Sequence, residues 1–317
     1  MTRVAAAQRR ELWLLAAVPT GVLGLLAATV LSRPLGHPPS DYPRLLALLA
    51  GMTLLGTSVV LRLEDPQHRS ALAARLWRWR LVVAGVWLLA ELALLVASAG
   101  EASGGSPASV SASTVLSYVQ MLTNGRVSVL VCACVLGALV LVALARGDGA
   151  RWSTGPVAAL AIVALLARPL TGHSEISALA QVSIVAHVLA ASLWCGGLAV
   201  LAMVAGRARG TWARMLPRFS RLAGWCAAVV ALSGVLNALL QLGGVSKLLN
   251  SGYGRLVLGK FAALVLLVGL GWFARRRWVP DASGHRTTGE VSLRRAAVEV
   301  AVMGVALGLA TALATTG

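Results

Sequence analysis

Long apolar runs alternate with short polar segments along the whole chain of 317 residues. About 20 apolar residues suffice for a helix to cross the hydrocarbon core of a bilayer. Nine runs approach or reach that length, at residues 12–31, 45–61, 81–99, 127–145, 153–168, 179–205, 222–242, 256–274 and 296–315. Each ends at an arginine cluster or at a turn rich in Gly, Pro or Ser. The pattern therefore predicts an all-α polytopic membrane protein with about nine transmembrane helices, and a short surface helix over residues 110–123.

The composition supports this class of protein. The chain is 58% hydrophobic and only 12% charged, whereas a soluble domain averages about 25% charged residues. A net charge of +17 would suggest nucleic acid as the partner of a soluble protein. Here the arginines fall between apolar runs, so the expected partner is the lipid bilayer and no nucleic acid is expected. The first run lacks a small-residue cleavage site and is long enough to remain as a span, so no cleavable signal peptide is expected.

The distribution of basic residues predicts the orientation. Cytoplasmic loops carry the excess of Lys and Arg. If the N-terminus is cytoplasmic, 21 of the 28 basic residues lie in inside segments. Nine spans with a cytoplasmic N-terminus and an outside C-terminus satisfy this rule at every inside loop. This arrangement predicts a multi-pass membrane protein, divided loosely into residues 1–150, with helices 1–4, and residues 151–317, with helices 5–9.

Candidate metal ligands lie in the outer half of the predicted membrane. His187 is inside the sixth apolar run, and an ionisable group inside a membrane is a functional hypothesis by default. Its predicted depth is roughly 12 Å below the outer end of its helix. His173 and Glu175 precede the same helix at the outer surface, and Cys132 and Cys134 lie roughly 8–11 Å deep in the fourth span. All four cysteines fall in apolar runs, so a disulfide framework is not expected.

Other polar groups also interrupt the apolar runs. They are Glu91 in the third span, Ser233, Asn237 and Gln241 along one face of the seventh, Lys260 in the eighth and Glu299 in the ninth. Glu91 is expected to have a polar partner, for which Lys260 is a candidate. Each group also has a structural interpretation: Ser, Asn and Gln can bond neighbouring helices, Lys260 can snorkel to the outer interface, and His187 can be a hydrogen-bonded structural residue. Cysteines at i and i+2 on a helix point in different directions, which weakens a shared site.

An ordered set of motifs in the back half resembles the copper resistance D family of bacterial membrane proteins. The set consists of Gly172-His173, the segment from His187 through Trp194 to Leu198, Arg218-Phe219-Ser220-Arg221, the segment from Leu232 to Asn237, the segment from Ser251 through Tyr253 and Arg255 to Lys260, and Leu293-Arg294-Arg295 followed by Glu299. The resemblance covers about residues 165–317. Residues 1–150 share only the hydropathy and topology of the family.

The resemblance implies copper handling, usually uptake across the cytoplasmic membrane, by a protein that is not an enzyme. It suggests His173 and His187 as the metal-related histidines. Trp194, Asn237, Tyr253, Arg255, Lys260 and Glu299 are then motif residues without an assigned role. The chain lacks the external segments rich in Met and His that would strengthen a copper assignment, since its six methionines are scattered.

Copper chemistry connects these residues. Imidazole binds copper as Cu(I) or Cu(II), and thiolate suits Cu(I). The expected path begins at His173 and Glu175, passes His187, with Cys132 and Cys134 as soft ligands, and continues inward past Glu91 or Cys195. Three alternatives stay open. These are a copper chaperone or insertion factor for a respiratory oxidase, working with an extracytoplasmic copper-binding protein, a membrane protein that binds haem through two histidines, and a purely structural subunit.

Overall fold

The computed structural model describes residues 17–31, 38–106, 109–145, 151–171, 178–206, 208–242, 252–284 and 286–316. These residues are almost entirely helical and include no strand. The helices are α1 (Ala17–Leu31), α2 (Asp41–Leu63), α3 (Pro66–Ala102), α4 (Ala112–Met121), α5 (Thr123–Leu144), α6 (Arg151–Thr171), α7 (Ala178–Ala205), α8 (Arg209–Leu242), α9 (Gly252–Phe273), α10 (Val279–Ser283) and α11 (Gly289–Thr316). A π-helical turn, Ala274–Trp278, joins α9 to α10.

The helices confirm an all-α polytopic membrane protein. Eight of the described helices are long and apolar enough to cross a membrane, and α1 contributes a shorter apolar stretch, Val18–Leu31. Every apolar run in the sequence has its counterpart in one of these nine helices. The predicted surface helix is α4. Its N-cap, Ser111, accepts a hydrogen bond from the Thr114 amide at 3.2 Å, which satisfies one of the free N–H groups at the start of a helix.

Two spans belong to helices much longer than their apolar runs. The run 81–99 lies in α3, which has 37 residues, and the run 222–242 lies in α8, which has 34. Hydropathy detects only the apolar part of a helix. It therefore does not report the polar residues with which both helices begin. The indole Nε1 of Trp77, in the extension of α3, donates to the Val142 carbonyl at 2.9 Å and holds the extension against α5.

The chain forms two compact units. The central unit is His37–Leu189, and the flanking unit combines Met1–Gly36 with Ala190–Gly317. In the central unit, α2 packs on α3 and α6, and α5 packs on α3 and α6. Contact between α2 and α3 is close at Gly51, where a Cβ atom would lie 2.8 Å from a ring carbon of Trp87. Gly51 has no side chain and therefore leaves space for the large buried indole of Trp87.

In the flanking unit, α1 and α11 approach each other through glycines. A Cβ atom at Gly24 would lie 2.3 Å from the Val305 carbonyl oxygen, and one at Gly308 would lie 2.1 Å from the Gly21 carbonyl oxygen. Real Cβ atoms do not come so close to backbone atoms. Small residues allow membrane helices to associate at this distance. The α1–α11 contact therefore depends on both glycines.

Two tryptophans of the flanking unit, one in α8 and one in the π-helical turn, pack together. The rings of Trp212 and Trp278 have centroids 5.5 Å apart. Trp278 Nε1 donates to Ser292 Oγ at 3.0 Å, and Trp212 Nε1 donates to the Gly206 carbonyl at 2.9 Å. Gly206 has φ 45°, the left-handed conformation in which helices commonly end. The turn after α7 thus presents a carbonyl to the indole of α8.

Candidate functional site

A buried ion pair connects α3 and α6 inside the central unit. Arg168 Nη2 lies 2.6 Å from Glu91 Oε2, and the Glu91 side chain is only 3% exposed. The other carboxylate oxygen, Oε1, accepts a hydrogen bond from Trp87 Nε1 at 3.0 Å. The sequence suggests Lys260 as the partner of Glu91, and this is wrong. Arg168 ends the apolar run of α6, so it can reach the acid from a neighbouring helix without being buried completely.

The two cysteines of α5 have different surroundings. Cys132 is half-buried and Cys134 is buried, and both are free thiols. The charges of Glu91 and Arg168 both act on the Cys132 thiol, whereas no charged group in the described part of the chain acts on Cys134. The difference follows from their i, i+2 spacing on a helix. Of the two thiols, Cys132 is the one within electrostatic range of the ion pair.

A layer of polar groups lies at the end of the central unit where α2 begins and α3 ends. The Ser40 amide donates to Glu101 Oε1 at 2.8 Å, and Arg44 Nε is 4.0 Å from Asp41 Oδ1. Tyr118 of α4 lies in the same layer. Burial raises the pKa of its phenol above the ordinary value, against the opposing effects of a hydrogen bond with Ser98 and of the charges on Arg168 and Arg44. The layer is therefore a mixture of charges of both signs, close to the Glu91–Arg168 pair.

The candidate histidines fall on and before α7. His187 is a half-buried residue of α7, whereas His173 and Glu175 lie outside the described residues. Trp194, further along the same helix, is buried at 5% exposure. The boundary between the two units falls in α7, so His187 belongs to the central unit and Trp194 to the flanking unit.

The remaining motif residues lie on helices of the flanking unit. Arg255 Nε donates to the Leu31 carbonyl at 2.7 Å and so ties α9 to the last residue of α1. Asn237 of α8 has a buried side-chain oxygen with no hydrogen-bond partner among the described residues. Lys260 is half-buried in α9, and Glu299 is buried in α11. Tyr253 is in α9, but its side chain is outside the described part of the chain.

The residues proposed from the sequence do not form one three-ligand cluster within the described ranges. Glu64, Asp65 and His68 do form such a group, at the junction of α2 and α3. Sequence reasoning did not single out this group or Arg168. The Glu-Asp-x-x-His spacing would have indicated the group of Glu64, Asp65 and His68, because it places a histidine one helical turn after two carboxylates. An arginine at the end of one apolar run, together with an acid inside another run, would have indicated Arg168 as a possible partner of Glu91.

The eight long apolar helices among the described residues define the class of the protein, which is a multi-pass membrane protein with a charged pair in its interior. A family model described as "Copper resistance protein D" matches residues 213–313, and one described as "Copper resistance protein D-like, N-terminal domain" matches residues 42–182. The two matches together cover most of the chain, which belongs to the copper resistance protein D family. The second match also corrects the expectation that residues 1–150 share only hydropathy with that family. No curated protein and no solved structure matches the chain.

Proposed function

We propose that this protein binds copper at an outward-facing site containing His173 and His187 and imports it across the cytoplasmic membrane. Family membership makes the protein copper-related. The observation that carries the finer proposal is the position of His187, a half-buried imidazole in an apolar helix. An ionisable side chain inside a membrane is energetically costly, and such residues mark ion pathways among other functional sites.

The ligand chemistry supports copper over a hard cation. Neutral imidazole binds copper in both oxidation states, and a thiol adds preference for Cu(I). In the proposed path, Glu175 attracts the ion at the mouth, the two histidines bind it, and Cys132 is the soft ligand nearest to the charged pair of the central unit. Cys134 is the weaker of the two sulfur candidates because it is buried and no charged group among the described residues acts on it.

Glu91 has a particular role in this proposal. Both of its oxygens are occupied, one by Trp87 and one by Arg168. A copper ion that passes Glu91 must therefore displace the Arg168 guanidinium, which carries the same sign of charge as the ion. We infer that Glu91 and Arg168 act together as a charged barrier along the path, and that Glu91 by itself is not a resident ligand.

The motif residues of the flanking unit have proposed supporting roles. Arg255 positions α9 against α1 through its bond to the Leu31 carbonyl. Trp194 is buried packing on α7. Asn237, Lys260 and Glu299 are the buried or half-buried polar groups that would meet an ion moving through this unit, and Tyr253 is a further motif residue of the same unit. Neither Lys260 nor Glu299 forms an ion pair with another described residue, so in this proposal both side chains interact with the moving ion or its counter-ion.

Copper accumulation in cells tests the proposal. We expect His187→Ala to lower uptake at least about tenfold at equal protein level, since losing even a group that supports a metal ligand costs about 10–100-fold in affinity. Gln181→Ala is the matched control, because Gln181 is another half-buried polar residue of α7 and should leave uptake unchanged. Equal uptake by wild type and His187→Ala would overturn the import proposal.

Purified protein in liposomes separates import from its alternatives. Copper flux that requires His187 supports import. Copper binding without flux would instead indicate a chaperone or insertion factor, which needs the outer site but no path through the membrane. A Soret band in the optical spectrum would indicate haem held by two histidines.

A further inference from the structure

Three potential metal ligands converge where α2 ends and α3 begins. One ligand atom from each of Glu64, Asp65 and His68 lies within 4.8 Å of the others. Ligand bonds of about 2.0–2.2 Å put two donor atoms at most about 4.4 Å apart, so the three groups need only a small side-chain adjustment to bind one ion. The group is composed of two carboxylates and one imidazole, and we call it the junction triad.

The backbone fixes the junction triad. Glu64 and Asp65 are both extended, with ψ 149° and ψ 143°, and Pro66 then starts α3 with the φ that a first helical turn requires. The Asp65 amide donates to Glu64 Oε1 at 3.1 Å, and the His68 amide donates to the Asp65 carbonyl at 3.0 Å. The three side chains therefore start from a rigid corner of the chain, which reduces the entropy lost on binding.

The Asp65 carboxylate is not used as a helix cap. Asp at an N-cap usually accepts a hydrogen bond from the second or third amide of its helix, but the Asp65 side chain makes no capping bond. Its oxygen is instead placed beside Glu64 and His68. Nearby, Arg69 Nη2 donates to the main-chain carbonyl of Glu64 at 3.1 Å. The Arg69 guanidinium therefore binds a main-chain carbonyl.

The exposure of the junction triad suits an ion that must enter and leave. Glu64 is 4% exposed, Asp65 is half-buried and His68 is exposed. One side of a bound ion would face protein, and the other would keep coordination positions for water or for an accepting ligand. Two carboxylates and one imidazole form a donor set of oxygen and nitrogen that divalent transition metals accept.

We propose that the junction triad is a binding site for a divalent transition-metal ion, with Cu²⁺ bound most tightly. A set of nitrogen and oxygen donors without sulfur favours Cu²⁺ and Zn²⁺ over Cu(I), and Cu²⁺ is highest in the general affinity order of divalent ions. The predicted orientation puts this junction on the cytoplasmic side. Its use as a receiving site for imported copper rests on the proposed function, whereas metal binding by the triad does not.

The test uses the full-length protein in detergent, with His173→Ala and His187→Ala already introduced so that the outer site is absent. Titration with Cu²⁺, followed by calorimetry and by electron paramagnetic resonance, should give one bound equivalent with the signature of a single imidazole nitrogen. Zn²⁺ should compete for it. We expect His68→Ala and, separately, Asp65→Asn to weaken Cu²⁺ binding at least about tenfold. Gln67→Ala, an exposed neighbour in the same turn, is the matched control and should bind as tightly as the parent.

Two results would overturn the proposal: no bound Cu²⁺ in the parent, or binding that His68→Ala and Asp65→Asn leave as strong as Gln67→Ala does. His68 is exposed, so its replacement leaves the packing intact, and an unchanged elution profile verifies this. Failure of the outer site would appear as unimpaired copper uptake in His187→Ala cells, which is a separate measurement. The two proposals can therefore fail independently.

Discussion

Two helix contacts, one in each unit, are held together by different means. In the central unit, a buried carboxylate and a guanidinium join α3 to α6. In the flanking unit, α1 and α11 meet through Gly24 and Gly308, where no side chain lies between the backbones. The first contact is electrostatic and the second is steric.

The difference bears on where function is to be sought. Replacing a buried ion pair with well-packed apolar residues is often neutral or stabilising, so packing alone does not require Glu91 and Arg168. The glycine contact, in contrast, is explained completely by close approach of two helices. The charged pair, with Cys132 beside it, is the stronger candidate for a part in ion handling, and the glycines are structural. The following substitutions separate these two roles.

The largest expected effect comes from breaking the ion pair on its exposed side. Arg168→Gln leaves the nearly fully buried Glu91 carboxylate without its counter-charge, and removal of one partner of a buried pair costs about 3–5 kcal/mol. We expect a value near the lower limit, because the Arg168 side chain is 24% exposed and water can replace part of it. Chemical denaturation in detergent measures the loss. Arg126→Gln, which removes an exposed arginine, is the control and should change stability little.

A double-mutant cycle sharpens this result. Glu91→Gln combined with Arg168→Gln removes both charges, so the double variant should be more stable than the sum of the single losses predicts. Additive losses would show that the two groups do not interact energetically. If the double variant is stable but transports no copper, the pair has a role beyond holding α3 to α6.

The glycine contact should respond to a single added methyl group. Gly308→Ala puts a Cβ atom against the backbone at Gly21, and forcing extra volume into a packed contact costs about 1–3 kcal/mol. Gly269→Ala is the control, since a Cβ atom there has no neighbour within 4 Å and alanine favours the helix. Thermal unfolding of both variants in one detergent gives the comparison. Equal unfolding temperatures would mean that α1 and α11 separate readily in the membrane protein.

The sequence predicts the helices well and their contacts poorly. An apolar run reports that a segment is in the membrane, but it contains no information about which neighbour each face meets. The position of Glu91 inside an apolar run shows that its burial costs free energy. The identity of its partner, in contrast, depends on the packing of α6 against α3. The i, i+2 spacing of Cys132 and Cys134, which involves only local geometry, correctly predicts that their surroundings differ.

Prediction of the site is limited for the same reason. His68 reads as a loop residue because the apolar run of the third span begins only at residue 81. The structure places it in the first turn of α3, which starts at Pro66. Only this helical turn brings His68 back toward Glu64 and Asp65. The outward-facing site remains a prediction, because His173 and Glu175 lie outside the described residues.

The smallest expected effect concerns Arg255, which makes a polar contact between α9 and α1 in the flanking unit. Arg255→Gln removes the donor to the Leu31 carbonyl at the end of α1. A net loss of about 1 kcal/mol is typical of one such hydrogen bond, and Arg255 is only half-buried, so water can replace it. Stability and copper uptake are measured together on this variant and on Arg255→Lys, which keeps the charge but not the planar donor group. A small loss of stability with normal uptake in both variants would confine Arg255 to positioning α9. Loss of uptake in Arg255→Gln, with recovery in Arg255→Lys, would show that the positive charge itself matters to the moving ion, and the flanking unit would then contain an electrostatic element comparable to Glu91 and Arg168.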